Sequence, residues 1–411
     1  MDDRPRNLRT LLAEAKDTSE LMVDLAYAAL YFGDPKMAEE VGHLEETMSR
    51  LVHEMRALCV VAVRNPKEAD AMSSVLQVIS AVERIANDAV DIARIVTHDL
   101  GIPRQLVADL SLAEEVNHRV LVREGSHMSD RPIRDFELPV ATGMRIMAIR
   151  RGHEWFTDVS GDDILAPDDV LFMRGSPEGI VRLRQLAAAP EWEPPQPPAE
   201  PEVLSDLDRA VDTLVEMKNL SETAVGLAYS ALVFDDQRLA AEVRHLEDRL
   251  DEMKDRLEVW VLRAAHDDID PSPLRGLLHL SQAAEDLGDQ AQQMVWLVER
   301  DSVDVHPIIG IALGDSDEVV VRAPVGPGSP ADGATLKELG LAIEPGFTVL
   351  AIRRGGRYLY RPSGRAGLQA GDELIASGPE EGRPHLAEVV GCLLVDDDEA
   401  GEHRFVLAGQ E

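Results

Sequence analysis

Apolar residues recur three and four positions apart over two long stretches, and that spacing predicts helices. In residues 5–33 and 203–234 the stripe runs through Leu21, Leu25 and Ala28, and through Val211, Leu214 and Met217. GDP at 33–35 and FDD at 234–236 interrupt it, with Pro35 placed to start a new helix. Further helices are predicted over 36–64 and 237–266, then over 67–99 and 274–300, separated by NP at 65–66 and DPSP at 270–273. Long amphipathic helices joined by tight turns make antiparallel bundles, and the pattern predicts two bundles of three. After each bundle the period shortens. HRVLVREGS at 118–126, GMRIMAIRRG at 143–152 and DDVLFMRG at 168–175 read as strands, as do EVVVRAPVG at 318–326, GFTVLAIRRG at 346–355 and GDELIASG at 371–378. PEGIVRLRQLA at 177–187 predicts a short closing helix. Each strand set makes a small α+β module of about 75 residues, near the lower limit for a self-sufficient core, so pairing is expected to stabilise it.

The two halves repeat one another. Residues 23–46, VDLAYAALYFGDPKMAEEVGHLEE, align without a gap to 225–248, VGLAYSALVFDDQRLAAEVRHLED, at an offset of 225 − 23 = 202; 14 of the 24 positions are identical. AVERIANDA at 81–89 meets AAEDLGDQA at 283–291 at the same offset, and AIRRG at 148–152 meets AIRRG at 351–355 at an offset of 203. A long unit has been duplicated. Residues 190–201, PEWEPPQPPAEP, separate the copies. Proline locks φ and lacks an amide donor, so this segment predicts a stiff, extended spacer. The expected organisation is bundle 1–105, module 106–189, spacer 190–202, bundle 203–300, module 301–382 and a C-terminal tail 383–411. The two bundles are expected to pack as one body and the two modules to pair about a pseudo-two-fold axis.

Composition narrows the partners. The chain is 45% hydrophobic but only 4% aromatic, so its cores are aliphatic. Its formal net charge of −35 repels phosphate backbones and anionic lipid, which excludes nucleic acid as a partner. Lysine occurs only at Lys16, Lys36, Lys67, Lys218, Lys254 and Lys337. High acidity with little lysine matches a halophilic surface, whose self-repulsion molar salt screens; an acidic mesophilic protein reads the same way. Cys59 and Cys392 fall in different predicted domains, the start lacks a signal-peptide core, and no apolar run spans a bilayer. A cytoplasmic protein is expected.

The α+β module resembles the TrkA-C (RCK_C) domain of cation-transport regulators. The resemblance rests on an ordered set: EGS at 124–126, ELP at 137–139, the strand Gly143–Arg151 with its AIRR, the aromatics Trp155 and Phe156, and the strand Pro167–Gly175. The second copy repeats it with KELG at 337–340, GFTVLAIRR at 346–354, Tyr358, Pro362 and AGDELIASG at 370–378. The helical halves, roughly 10–99 and 210–300, resemble PhoU, whose bundles carry E-x-x-x-D pairs. The fold class is therefore multidomain α and α+β: two three-helix PhoU-like bundles alternating with two small RCK_C β/α modules.

No P-loop, dinucleotide fingerprint, nucleophile elbow or H-E-x-x-H occurs, so nothing recruits an enzyme. Two sets of residues invite ligands. On the second bundle, Glu242, His245, Glu285 and Asp289 supply oxygen and imidazole at helical spacing, a set suited to a divalent metal such as Mg, Mn or Fe; the same residues also read as a solvated polar face. The equivalent pair in the first copy is Glu83 with Asn87. In the modules, Ile149, Arg150, Arg151, Trp155 and Phe156, with Ile352, Arg353, Arg354 and Tyr358, combine guanidinium forks for phosphate with rings for a base; a salt bridge to neighbouring carboxylates is the alternative use of the arginines. The resemblance implies cyclic di-AMP or another small nucleotide or anion as ligand there. It also implies a membrane cation transporter or channel, for K⁺ or Mg²⁺, as partner, and a homodimeric assembly. A PhoU-type phosphate-signalling or metal-binding protein is the second reading. His118 and His306 are expected at the surface or in caps.

Overall fold

Each predicted apolar stripe becomes a long helix with a side-chain cap or a proline at its start. The computed structural model describes residues 6–110, 115–193, 204–266, 271–299, 306–397 and 402–407; most of the proline-rich spacer lies outside them. The first copy contributes α1 (Leu8–Phe32), α2 (Pro35–Ala62) and α3 (Pro66–Thr97), and the second α7 (Asp206–Phe234), α8 (Gln237–Ala264) and α9 (Ser272–Glu299). Asn7 and Ser205 form capping boxes at α1 and α7, and Asp34, Asn65 and Asp236 accept from the first amides of α2, α3 and α8. Gly33 ends α1 in the left-handed region, where a residue without Cβ is at no disadvantage.

The chain divides into two compact units, and each draws on both copies: residues 1–111 with 197–316, and 112–196 with 317–411. In the first unit α1, α2 and α3 pack on one another, as do α7, α8 and α9, and α3 lies along α9 to join the two bundles. Short helices cross over. The helix α4 (Arg104–Leu110), which follows the first bundle, packs on α7 of the second, and α10 (Ile308–Gly314), which follows the second, packs on α1 of the first and on α7. Polar side chains also exchange between copies. Lys16 lies over the Tyr229 ring at 5.2 Å and Lys218 over the Tyr27 ring at 5.4 Å; both lysines are buried, and each is paired to a glutamate one turn on, Glu20 or Glu222.

The second unit holds two sheets of one design. The first copy supplies β1 (Val116–Leu121), β2 (Arg131–Pro132), α5 (Leu138–Thr142), β3 (Met144–Arg151), β4 (Glu154–Phe156), β5 (Ile164–Leu165), β6 (Val170–Gly175) and α6 (Ile180–Leu186). The second supplies β7 (Glu318–Pro324), α11 (Leu336–Leu339), β8 (Thr348–Arg354), β9 (Arg357–Tyr360), β10 (Glu373–Pro379) and α12 (Arg383–Val390), followed by a hairpin of β11 (Cys392–Asp397) and β12 (Glu402–Leu407). The sheet orders are β1-β6-β3-β4 and β7-β10-β8-β9, antiparallel throughout. Even the bulge recurs: the register shifts between Ile146 and Ala148 against β6, and between Ala351 and Val349 against β10. The two modules meet closely. A Cβ on Gly143 would lie 2.0 Å from the Ala342 carbonyl oxygen, and one on Gly346 would lie 2.3 Å from that of Pro139. These contacts exchange under the repeat, since 143 + 203 = 346 and 139 + 203 = 342, as a pseudo-two-fold axis requires. The C-terminal hairpin packs on β7 and adds Leu394, Phe405 and Leu407 to the core of the second module; Trp192 and Ala189 pack on the core of the first.

Candidate functional site

The arginine pairs sit on the β3–β4 and β8–β9 hairpins, where strand alternation sends neighbouring residues to opposite faces. Ile149 and Ile352, 3% and 2% exposed, point into the module cores and are not available to a ligand. Arg151 is a clamp. Its Nε and Nη2 donate to the two carboxylate oxygens of Asp169, both at 2.8 Å, and Nη2 also reaches the Ile164 carbonyl at 3.0 Å. Asp169 is fully buried and accepts the Ala166 amide as well. Arg354 repeats the arrangement with Asp372 at 2.7 and 2.5 Å and with the Gly367 carbonyl at 2.7 Å. These outer arginines are therefore committed to the loop before β6 and β10, the salt-bridge use left open by the sequence. Bonding to the carboxylate raises the pKa of each guanidinium further.

The inner arginines differ between copies. Arg150 lies over the rings of Trp155 and Phe172, at 5.7 and 5.6 Å from their centroids. The indole Nε1 of Trp155 is shielded from solvent and has no hydrogen-bond partner. Arg353 instead pairs with Glu373 at 2.7 Å; the position equivalent to Glu373 is Val170. Tyr358 stacks on Tyr360 with centroids 5.5 Å apart, while Phe156 is 40% exposed under Arg151.

On the second bundle Glu242 and His245 lie a turn apart on α8, and Glu285 and Asp289 a turn apart on α9. Burial raises the pKa of Glu242, Glu285 and Asp289. Glu285 accepts from Lys254 Nζ at 2.9 Å and from Gln282 at 2.8 Å. Among the described residues no group of three or more His, Cys, Asp or Glu side chains is placed to hold a metal ion. The expected four-residue set is thus not assembled: Glu285 answers to Lys254 of α8 rather than to Glu242 or His245. A groove of about 420 Å³ lined by Gln77, Arg244, Gln292, Gln293 and Trp296 includes none of the expected site residues.

The family comparisons match this architecture twice over. A PhoU domain is matched at residues 12–96 and 214–298, and a TrkA-C domain at 117–188 and 320–391. The chain carries two PhoU domains and two TrkA-C domains in alternation. Both are regulatory domain families, tied to phosphate or cation transport. No curated protein matches the chain. Among solved structures, PhoU from Pseudomonas aeruginosa is 15% identical and covers 71% of this chain and 93% of its own, with a TM-score of 0.36. The GsuK RCK domain is 17% identical over 68% of this chain and 64% of its own, and the GsuK channel bound to NAD 15% over 78% and 65%, each with a TM-score of 0.18. The chain thus spans just under two thirds of the GsuK chains.

Within the PhoU domains the sequence reading missed Asp88 and Glu247 as the most perturbed acids. Asp88 is 9% exposed on α3, and its Oδ2 has no partner. Burial, then the charges of Asp286, Asp91 and Asp289, raise its pKa to about 8. Glu247, 7% exposed, accepts from Gln292 at 2.6 Å and is raised to about 7 by burial and its acidic neighbours. The signal for Asp88 was its place on the apolar stripe of Val78, Val82, Ile85, Ala89 and Ile92. In the first TrkA-C domain His118 is no surface residue: it meets Arg184 at 3.1 Å and Trp192 edge-on, and burial lowers its pKa to about 4. His306 does cap, accepting the Ile308 amide at 3.1 Å.

Proposed function

We propose that the chain is a cytoplasmic regulatory subunit of a K⁺ or Mg²⁺ transporter or channel, binding a small anionic nucleotide such as cyclic di-AMP at its paired TrkA-C domains. The observation that carries this reading is the Arg150–Trp155 pair: a guanidinium stacked on rings beside a buried indole N–H that lacks an acceptor. A buried donor left unpaired costs about 1–3 kcal/mol, and a ligand oxygen would recover it. Arg151 and Arg354 are held by Asp169 and Asp372, and Arg353 pairs with Glu373, so this reading puts the ligand at the ring-stacked Arg150 of the first domain. No helix among the described residues is long and apolar enough to cross a membrane. Ligand binding acts on the transporter or channel only through a difference in affinity for two arrangements of the subunit.

Calorimetry of the purified protein in molar salt tests the ligand. Binding of cyclic di-AMP at micromolar strength or tighter is expected, weakened about tenfold by Arg150→Ala. Trp155→Phe, which keeps a ring and removes the N–H, is expected to weaken it about fivefold. Absence of heat with any nucleotide removes this ligand class. The second reading, a PhoU-type phosphate-signalling or metal-binding protein, draws on the buried carboxylates Asp88 and Glu247 and the half-buried Asp289. Stoichiometric Fe, Mn or Zn in the purified protein would favour it.

A further inference from the structure

The seam between the two TrkA-C domains is closed by side chains whose positions exchange under the 203-residue offset. Glu115 accepts from Arg174 Nε of its own domain at 2.9 Å and from Thr348 Oγ1 of the other domain at 3.3 Å. Glu318 accepts from Ser377 Oγ of its own domain at 2.8 Å and is paired with Arg145 of the other. These are the same three positions twice: 115 + 203 = 318, 145 + 203 = 348 and 174 + 203 = 377. The glutamate is kept in both copies. Its partners are not, because the first domain supplies arginine at both positions and the second a hydroxyl at both. Arg145 and Arg174 face each other across β3 and β6, as Thr348 and Ser377 do across β8 and β10.

Three pairings of such domains are conceivable, and only one is neutral. First against second brings two glutamates to two arginines, as in this structure. Second against second would bring two glutamates and no arginine; first against first, two glutamates and four arginines. A looser pair adds to the same bias. Arg182 of the first domain lies 3.9 Å from Glu344 of the second, and the counterparts of these two residues are His385 and Ala141. The seam is partly shielded: Arg174 is 9% exposed, and the glycines Gly143 and Gly346 bring backbone against backbone. Like charges held there are screened less than on an open surface, and repulsion against the wrong partner is a recognised source of specificity.

We infer that these positions form a charge code that makes the TrkA-C surface heterotypic, accepting one first domain and one second domain and rejecting like pairs. A single chain supplies the two in the required ratio, so the surface is satisfied within the chain. The duplication is then more than a doubling. The copies have diverged at the seam so that neither replaces the other.

Charge exchange in the full-length chain tests the code. Glu318→Arg leaves Glu115 against three arginines; Arg145→Glu in the same chain restores two of each. The readout is amide hydrogen exchange of residues 139–146 and 342–349, which cross the seam. Exchange in Glu318→Arg is expected to rise about tenfold and to return towards the parent rate in the double variant. Faster exchange with no recovery on adding Arg145→Glu would overturn the code, as would no change in Glu318→Arg. Should Glu318→Arg not fold, the neutral pair Glu318→Gln and Arg145→Gln decides. Their effects on the thermal midpoint are expected to be non-additive, the double variant losing less than the sum, and simple additivity would overturn the code.

Discussion

At the scale of the residue, the acids that matter are those the helices bury. Asp88 has a folded-state pKa of about 8, above the ordinary carboxyl value it regains on unfolding. The native state therefore holds its proton more tightly than the unfolded chain. The associated stability is fully present below about pH 4 and is lost as the pH climbs towards 8. Asp88→Asn, which cannot ionise, is expected to melt several degrees above the parent at pH 8, with the difference closing at pH 4; scanning calorimetry across that range checks it. Glu247, at about 7, contributes in the same direction. In the TrkA-C domains, Asp169 is fully buried and takes two bonds from Arg151 and one from a backbone amide. Because Arg151 is itself half-exposed, Asp169→Ala is expected to cost about 2–3 kcal/mol in urea unfolding rather than the full penalty of a buried pair. The sequence offered Arg150–Arg151 as an undivided pair. Strand alternation and the buried carboxylate divide it, and Asp169 gave no sign in the sequence of being the partner, since 18 residues separate it from Arg151.

At the scale of the element, most of the molecule was legible. Helices and strands appear where the apolar period and the breakers put them, because those signals are local: the Asp34–Pro35 and Asn65–Pro66 steps cap and start α2 and α3. The C-terminal hairpin was not legible: residues 383–411 read only as a tail. Its two strands become a hairpin by packing Phe405 and Leu407 on the edge of another sheet, which no local rule contains. The glycines at the seam were equally silent. Gly143 and Gly346 have φ of +63° and +85°, and both leave no room for a Cβ. Gly346→Ala is expected to destabilise the second unit by about 3 kcal/mol or more, from strain and from the clash with Pro139. Gly355→Ala, at φ +54° but in open space, is expected to cost only about 1 kcal/mol. Thermal unfolding of the two variants side by side separates the contributions.

For the whole molecule, charge and duplication govern. A net charge of −35 spread over both copies opposes compaction in dilute buffer. The thermal midpoint is expected to rise steadily with NaCl towards molar concentration, and a midpoint independent of salt would remove the case for salt adaptation. The sequence by itself determined the elements, the duplication and the two kinds of domain, because periodicity, turn chemistry and a long repeat are written along the chain. It also held every residue of the seam. Only the tertiary structure decided that bundle joins bundle and module joins module across the copies, that one arginine of each pair is spent on a buried carboxylate, and that Glu115 and Glu318 reach opposite partners. Those outcomes depend on contacts between residues up to 306 positions apart. Distance along a chain carries no trace of which buried charge will find which counterion until packing removes the water between them.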